Sequence, residues 1–163
     1  MEFLIENGLP TEQNLPYSSG TLTLGKAQLE DPCGKPKIKV ASTIKSHGSV
    51  GLTWAGLRGD LVKGASVCTF NSTERFKQYA GGVYSCTDDD APLDIRETNH
   101  AVLAVGYTSS NNIIKKNSFG DNWGEKGYAN IDYKNDCGLR LMCYQLSAER
   151  LLIVTILLIL SVV

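Results

Sequence analysis

The 163-residue chain lacks the features that mark several classes of protein. It has no run of Lys or Arg, and its 16 basic and 17 acidic residues give a formal net charge of -1, which argues against a nucleic-acid binder held by phosphate neutralisation. It has only two histidines, and its five cysteines form no CxxC pair, so no metal site is expected. A hydrophobic content of 42% with only five prolines excludes a disordered or collagen-like chain. The length alone predicts one globular domain.

The two ends of the chain stand apart from the rest of the sequence. Residues 1–13 have no basic region, no long apolar run and no small-residue cleavage site, so no signal peptide is expected there. Apolar residues at positions 3–5 followed by Asn7-Gly8 instead predict the last turns of a helix that a glycine closes. Residues 151–163 (LLIVTILLILSVV) would span only about 20 Å as a helix, too little to cross a hydrocarbon core of about 30 Å. We expect this apolar tail either to be a frayed or misannotated end or to associate weakly with a membrane.

The hydrophobic pattern predicts few helices and several strands. Residues 8–36 are rich in Pro, Gly, Ser and Thr, which predicts loop and turns. Residues 50–63 carry leucines at roughly helical spacing and predict a helix despite internal glycines. Turn-rich connections between the predicted strands favour an antiparallel β structure over βαβ units. The predicted strands are Ser66–Phe70, Gly82–Cys86, Ala101–Tyr107, Ile113–Lys116 and Tyr128–Tyr133.

One triplet in the sequence is an acceptor for N-linked glycosylation. Asn71-Ser72-Thr73 fits the pattern, which has physical meaning only if the chain is secreted. Such triplets also arise by chance. Glycosylation of Asn71 is therefore a prediction that depends on secretion of the chain.

Two polar residues lie at the ends of neighbouring predicted strands. His100 precedes the strand at 101–107 and Asn117 follows the strand at 113–116, so the two side chains can meet in space. An amide oxygen can accept the imidazole N–H and fix the tautomer of the ring, and the nearby Phe119 and Trp123 can exclude water from that hydrogen bond. Considered alone, the pair is more typical of a satisfied structural contact in a core than of a catalytic site.

The sequence around both residues resembles the papain family of cysteine peptidases. NHAVLAVGY and KKNSFGDNWGEKGYANI, at 99–107 and 115–131, are similar to the family segments that carry the active-site histidine and asparagine. Weaker similarity extends over residues 1–146, which leaves 147–163 as an apolar C-terminal tail. The resemblance implies an α+β papain-like fold, of which this chain would hold mainly the antiparallel β lobe, with the helical N-terminal lobe largely missing. Segments that add to it are FKQYAGGVYSC at 76–86, ENGLPTEQNLPYSS at 6–19, KGASV at 63–67 and Cys137-Gly138-Leu139.

The resemblance implies a catalytic role for the polar pair. His100 would act as general base and proton shuttle, and Asn117 would orient its ring. Trp123 matches the second tryptophan of the family's aromatic shield, while Phe119 replaces the first, so that shielding is kept but the indole is lost.

A substrate pocket is also implied by the resemblance. Ala65, Asn99 and Ala101 would line the pocket for the substrate side chain two residues before the cut. Small residues at 65 and 101 would make that pocket roomy and apolar. The alternative for these small residues is that they only pack within strands.

The same resemblance implies different pairing for the individual cysteines. Cys86 and Cys137 match positions that are disulfide-bonded in the family. Cys33 matches a cysteine whose partner lies before residue 1, so it is expected to be unpaired. Cys68 and Cys143 have no family counterpart, and their pairing is left open.

The remaining catalytic groups are not expected within the chain. Thiolate attack needs a cysteine at a helix N-terminus, together with backbone and Gln donors for the oxyanion. In this family the nucleophile precedes the histidine by about 130–150 residues, and counting back from His100 by that distance passes Met1. Cys33, Cys68 and Cys86 do not open predicted helices, so none is expected to substitute.

Two functions follow from these observations. The first is a cysteine-type endopeptidase of the lysosome, vacuole or extracellular space, represented here by its His/Asn half and inactive without the missing lobe. The second is a non-catalytic pseudopeptidase module that binds peptides or a protein partner. The chain would accordingly be either a truncated gene product or a degenerate homologue. Neither function calls for a cofactor, a metal or a nucleic acid.

Overall fold

The computed structural model describes residues 2–11, 13 and 40–148. The described residues divide into two compact units, one of residues 2–11, 13, 40–46 and 147–148 and the other of residues 47–146, where the length of the chain alone predicts one. Cys33, most of the predicted loop at 8–36 and the apolar tail at 151–163 lie outside the described residues. Within those residues, no helix is both long enough and apolar enough to cross a membrane.

The first unit confirms the helix end predicted at the N-terminus. Helix α1 spans Glu2–Asn7, and Gly8 follows it with φ 70°, a left-handed conformation that glycine adopts without steric cost. Strand β1 (Leu9–Pro10) then pairs antiparallel with β2 (Val40–Ser42). Part of the segment predicted as loop is therefore a short strand.

Seven further strands form a single sheet. The sheet order is β3-β9-β4-β6-β7-β8-β5, and the pairs β4–β6, β4–β9, β6–β7 and β7–β8 are antiparallel. The pair β5–β8 is parallel, so the sheet is mainly antiparallel, as predicted. The strands are β3 (Ile44–Ser49), β4 (Ser66–Phe70), β5 (Val83–Tyr84), β6 (His100–Tyr107), β7 (Ile113–Lys116), β8 (Tyr128–Ile131) and β9 (Cys143–Ala148).

Two helices of the second unit begin at threonine N-caps. In α2 (Trp54–Leu61), Thr53 Oγ1 accepts a hydrogen bond from the Gly56 backbone N–H at 3.1 Å, which satisfies one of the free donors at the helix start. A residue larger than glycine is disfavoured at position 56, because its Cβ would lie only 2.8 Å from the Cα of Gly51. Thr73 caps the short helix α3 (Glu74–Lys77) in the same way. The sequence predicted α2 with longer bounds and missed α3.

Two disulfides link distant parts of the second unit. Cys86–Cys137 confirms the pair that the family resemblance implied. Cys68–Cys143, which the sequence left open, joins directly opposed residues of β4 and β9. The bonds connect residues 51 and 75 positions apart, and in the loop-entropy picture each stabilises the fold by roughly 4 kcal/mol.

The core of the second unit lies on one face of this sheet. Strand β4 alternates between buried and half-buried residues, so that Ser66, Cys68 and Phe70 point inward. Phe70 and Phe76 are completely buried, with ring centroids 4.6 Å apart. This face of β4, β6 and β7 carries the polar pair described next.

Candidate active site

The β6–β7 hairpin brings His100 and Asn117 together. Its connecting turn has Asn111 at φ 67° and a hydrogen bond from the Thr108 N–H to the Asn112 carbonyl, and it returns the chain so that both residues lie at the same end of the sheet. His100 Nε2 lies 2.7 Å from Asn117 Oδ1. Because an amide oxygen only accepts, Nε2 carries the proton of the neutral ring and Nδ1 keeps its lone pair. The pair therefore presents an oriented imidazole base.

The backbone of Asn117 is held independently of its side chain. Its N–H donates to the Gly127 carbonyl at 2.9 Å, directly after the last residue of β7. The site residue is thus anchored to the loop that leads into β8. This anchoring fixes the position from which Oδ1 reaches the imidazole.

Aromatic rings cover the histidine. Phe119 stacks on the His100 ring with centroids 5.1 Å apart and an interplanar angle of 28°. Trp123 lies edge-on to Phe119 at 5.4 Å, and its indole N–H donates to the Lys77 carbonyl at 3.0 Å. Phe119 therefore makes the ring contact with His100, while Trp123 supports Phe119 from behind. Phe119 is 39% exposed, so this cover is open to solvent on one side.

The surroundings of His100 favour its neutral form. Burial lowers the pKa of His100 below its ordinary value, the hydrogen bond to Asn117 raises the pKa, and the charge of Lys115 lowers it. The net direction is downward. At neutral pH the imidazole is therefore a proton acceptor rather than a cation.

The predicted pocket residues occupy different positions. Ala101 is paired with Thr69 across β4 and β6, and its side chain alternates to the face opposite His100. Ala65 directly precedes β4, and both alanines are half-buried. Asn99 is exposed, and its side chain both accepts from the Ser72 N–H at 2.8 Å and donates to the Ser72 carbonyl at 3.3 Å. Asn99 therefore holds a neighbouring loop, and the substrate role of the three residues stays a prediction.

The glycosylation acceptor is engaged in the fold. Asn71 is half-buried, and its amide donates to the Asp90 carbonyl at 2.9 Å. A sugar on this nitrogen would have to replace that contact or leave it strained. Modification of Asn71 remains a prediction.

The cysteines of the described segments contain no free thiol. Cys68, Cys86, Cys137 and Cys143 are all in disulfides. Among residues 2–11, 13 and 40–148, no group of three or more His, Cys, Asp or Glu side chains is placed to hold a metal ion. The described segments thus contain an oriented imidazole and no free thiol.

Sequence reasoning missed one buried ionisable residue near the site. Lys115 is fully buried on β7, and burial lowers its pKa well below the ordinary lysine value. The signal was present: alternation along the predicted strand Ile113–Lys116 turns residues 113 and 115 to the same side, and Ile113 is a core residue.

Comparisons with known proteins agree with the family segments. Residues 1–146 match the sequence model described as papain family cysteine protease. The chain is 37% identical to cysteine proteinase 3 of Solanum lycopersicum over 141 residues, which are 81% of this chain and 36% of that protein. It is 31% identical to mexicain of Jacaratia mexicana over 146 residues, 85% of this chain and 61% of mexicain. The chain thus spans less than two thirds of the length of these relatives.

A solved structure shows the same fold. The bromelain protease from Ananas comosus superposes with a TM-score of 0.69 at 23% identity, and the match covers 90% of this chain and 66% of that chain. The described residues are mostly sheet with few helices, as expected for the β-rich lobe of a papain-like fold. The predicted fold class is confirmed.

Proposed function

Because the chain belongs to the papain family of cysteine proteases, we propose that it supplies the histidine and asparagine of a cysteine-type endopeptidase and that the 163 residues alone are inactive. The observation that carries the proposal is the 2.7 Å contact between His100 Nε2 and Asn117 Oδ1 beneath the Phe119 ring. This contact leaves Nδ1 as the basic atom. The substrates proposed are peptides or proteins.

The chemistry of the pair follows from its geometry. Nδ1 of His100 would accept the proton of a cysteine thiol, and the thiolate would attack the carbonyl carbon of a peptide bond. The imidazolium would then give its proton to the leaving amine as the acyl-enzyme forms, and water would release the acyl group with His100 again acting as base. Asn117 would keep the ring oriented through both steps, and Phe119 would limit the access of water to their hydrogen bond.

We propose that the nucleophile and the oxyanion glutamine lie outside these 163 residues. Support comes from the disulfides Cys68–Cys143 and Cys86–Cys137, which occupy four of the five cysteines. A sulfur held in a disulfide is not available as a thiolate. The partner required for activity would be a helical segment that carries the missing groups.

The transcript upstream of Met1 provides the test. An in-frame segment with a CGxCW-like motif and a glutamine is expected, and the longer product should cleave a peptide substrate. In that product His100→Ala should reduce cleavage at least a hundredfold, within the range of losses seen for general acid–base groups. His47→Ala, which changes the only other histidine of the chain, should leave cleavage intact. An upstream sequence without the motif would contradict the proposal.

The disulfides also bear on where the protein folds. Disulfides persist in oxidising compartments and are rare in the cytosol. We therefore place the protein in the secretory route, with a lysosomal, vacuolar or extracellular destination as part of the proposal. Weak membrane association through residues 151–163, which lie outside the described residues, remains a prediction.

A pseudopeptidase module is the second candidate. It is favoured by the four paired cysteines of the described segments, which leave an oriented His/Asn pair without a thiol. In this case the purified 163-residue chain should bind an extended peptide or a protein inhibitor of thiol proteases and should not be labelled by a thiol-directed epoxide. If the chain binds neither the peptide nor the inhibitor, this candidate is excluded.

A further inference from the structure

Lys115 ends in a site that offers no hydrogen bond. Its side chain is 0% exposed, and within the described part of the chain its Nζ has no hydrogen-bond partner. The nitrogen lies 3.0 Å from the centroid of the Phe70 ring and 3.8 Å from that of Phe76. The negative faces of two aromatic rings favour the ammonium form, whereas burial opposes it.

The side chain of Lys115 points toward the end of the sheet that carries His100. Lys115 pairs with Ala104 on β6, and Phe70 pairs with His100 across β4 and β6. Directly opposed residues share a face, and so do alternate residues of one strand. Lys115, Phe70 and His100 therefore lie on the same face, and the contact between Nζ and the Phe70 ring brings the ammonium group to the His100 end.

Aromatic side chains occupy the space around these two groups. Phe76, which contacts Nζ, has its centroid 6.4 Å from Phe119, and Phe119 stacks on the His100 ring. Such an apolar medium screens charges much less than water does. A charge on Lys115 is therefore screened less from His100 than it would be in water, and it lowers the pKa of His100.

Among the described residues, the side chains that contact the His100 ring directly are uncharged. Next to His100, β4 contributes Phe70, and Asn117 and Phe119 are uncharged. On α3, the exposed Glu74 and Lys77 form an ion pair with each other at 2.6 Å.

Two tyrosines and an arginine also lie around Phe76. Tyr79 and Tyr84 contact Phe76, and burial raises the pKa of Tyr79, so its phenol is neutral where histidine titrates. The exposed Arg75 lies over the outer part of the cluster at the Tyr84 ring. The buried cation nearest the aromatic cluster in the described residues is thus Lys115.

We propose that Lys115 is a positioning residue that, in its protonated form, disfavours protonation of His100. The proposal deepens the proposed function, on which its catalytic meaning rests: a neutral histidine can accept a thiol proton, but the imidazolium of an ion pair with a thiolate is disfavoured. Lys115 would thereby limit the ion pair that the peptidase mechanism needs.

A histidine titration by NMR tests the proposal without any assay of proteolysis. The full chain and its Lys115→Met variant would be labelled on the imidazole rings, and the signals of the two histidines followed with pH. Methionine keeps the volume and the apolar stem but removes the charge. In the variant the proton affinity of His100 should rise roughly threefold to tenfold. The substitution should not alter the His47 signals.

Two further variants separate charge from packing. Lys116→Met removes a neighbouring charge from the other side of β7 and should leave the His100 titration unchanged. Lys115→Ile makes the same charge change with a β-branched side chain suited to a strand. An unchanged or lower proton affinity of His100 in Lys115→Met would overturn the proposal. Loss of the folded spectrum in both Lys115 variants would assign the residue to packing and overturn it as well.

Discussion

At the sheet edge near Tyr79, polar groups bind one another, while beneath His100 two buried polar atoms have no partner among the described residues. The Tyr79 hydroxyl donates to the Gly82 carbonyl at 2.6 Å, and Glu125 accepts from the Gly82 N–H and from the Asn130 amide, each at 2.9 Å. In contrast, Lys115 Nζ and Asn117 Nδ2 are buried and have no hydrogen-bond partner among the described residues.

This difference distinguishes polar groups that stabilise the fold from polar groups that we propose act on His100. A buried polar group with a hydrogen bond contributes modestly to stability, but the same group without one costs its full desolvation. The hydrogen bonds around Tyr79 therefore stabilise this edge of the sheet. The face beneath His100 retains unfavourable groups, as expected where a residue is kept for its effect on a neighbour rather than for packing.

The largest expected effect comes from removing the unpartnered cation. Lys115→Met should increase the free energy of unfolding by roughly 1–3 kcal/mol at neutral pH, since an apolar side chain of similar volume avoids the desolvation cost. The pKa of Lys115 is lowered in the folded state, so protonation favours the unfolded chain. Stability of the natural chain should therefore rise with pH between the folded pKa of Lys115 and about 10.4, its unfolded value.

Urea unfolding at several pH values checks both parts. Lys115→Met should remove the rise with pH, and Lys116→Met should retain it. A variant at 115 that is less stable than the natural chain at neutral pH would show that the ammonium group contributes favourably, and the contrast with the Tyr79 edge would fail.

A smaller effect is expected at the partnered edge. Tyr79→Phe removes the hydroxyl that donates to Gly82 and accepts from the Asn130 N–H at 3.4 Å. The loss should lower the free energy of unfolding by about 1 kcal/mol, because the part-buried hydrogen bond to the Gly82 carbonyl is lost. Tyr107→Phe is the matched control, since the face of the Tyr107 ring over which Arg58 lies is kept in phenylalanine. Equal stabilities of the two variants in urea unfolding would contradict the assigned role of the Tyr79 hydroxyl.

Local pattern predicted the parts of the fold that lie in the middle of the sheet. Strands β4 and β7 have the predicted bounds, and burial alternates from residue to residue along both strands. Strand β3 (IKSHGS) escaped prediction because it lies at the sheet edge, where polar residues are tolerated. The predicted strand at 82–86 shortens to Val83–Tyr84, after Gly82 with φ 80°.

Contacts distant in sequence could not be predicted from local pattern. The Cys68–Cys143 bond depends on the register of β4 against β9, which no local segment encodes. For the site, the hairpin predicted that His100 and Asn117 would meet, and their contact is present. The environment of Lys115 could not be predicted, because it depends on Phe70 and Phe76 arriving from other elements.

The smallest predicted effect concerns Asn117, whose Nδ2 is the other buried atom near His100 without a hydrogen-bond partner among the described residues. Asn117→Ala removes Oδ1, whose hydrogen bond raises the pKa of His100, so the proton affinity of His100 should fall roughly twofold to fivefold. The same substitution removes the unpartnered Nδ2, which offsets part of the stability lost with the hydrogen bond. Asn130→Ala is the matched control, because that amide binds Glu125 at the partnered edge and should not alter the His100 titration.

The direction of this change distinguishes the two neighbours of His100. Asn117→Ala and Lys115→Met should move the imidazole titration in opposite directions, because one removes a group that supports the imidazolium and the other removes a charge that opposes it. If the two act independently, their effects on the titration midpoint should add in the double variant. A rise in proton affinity in Asn117→Ala would mean that the amide does not accept the imidazole N–H in solution. In that case the oriented base, on which the proposed function rests, would have to be given up.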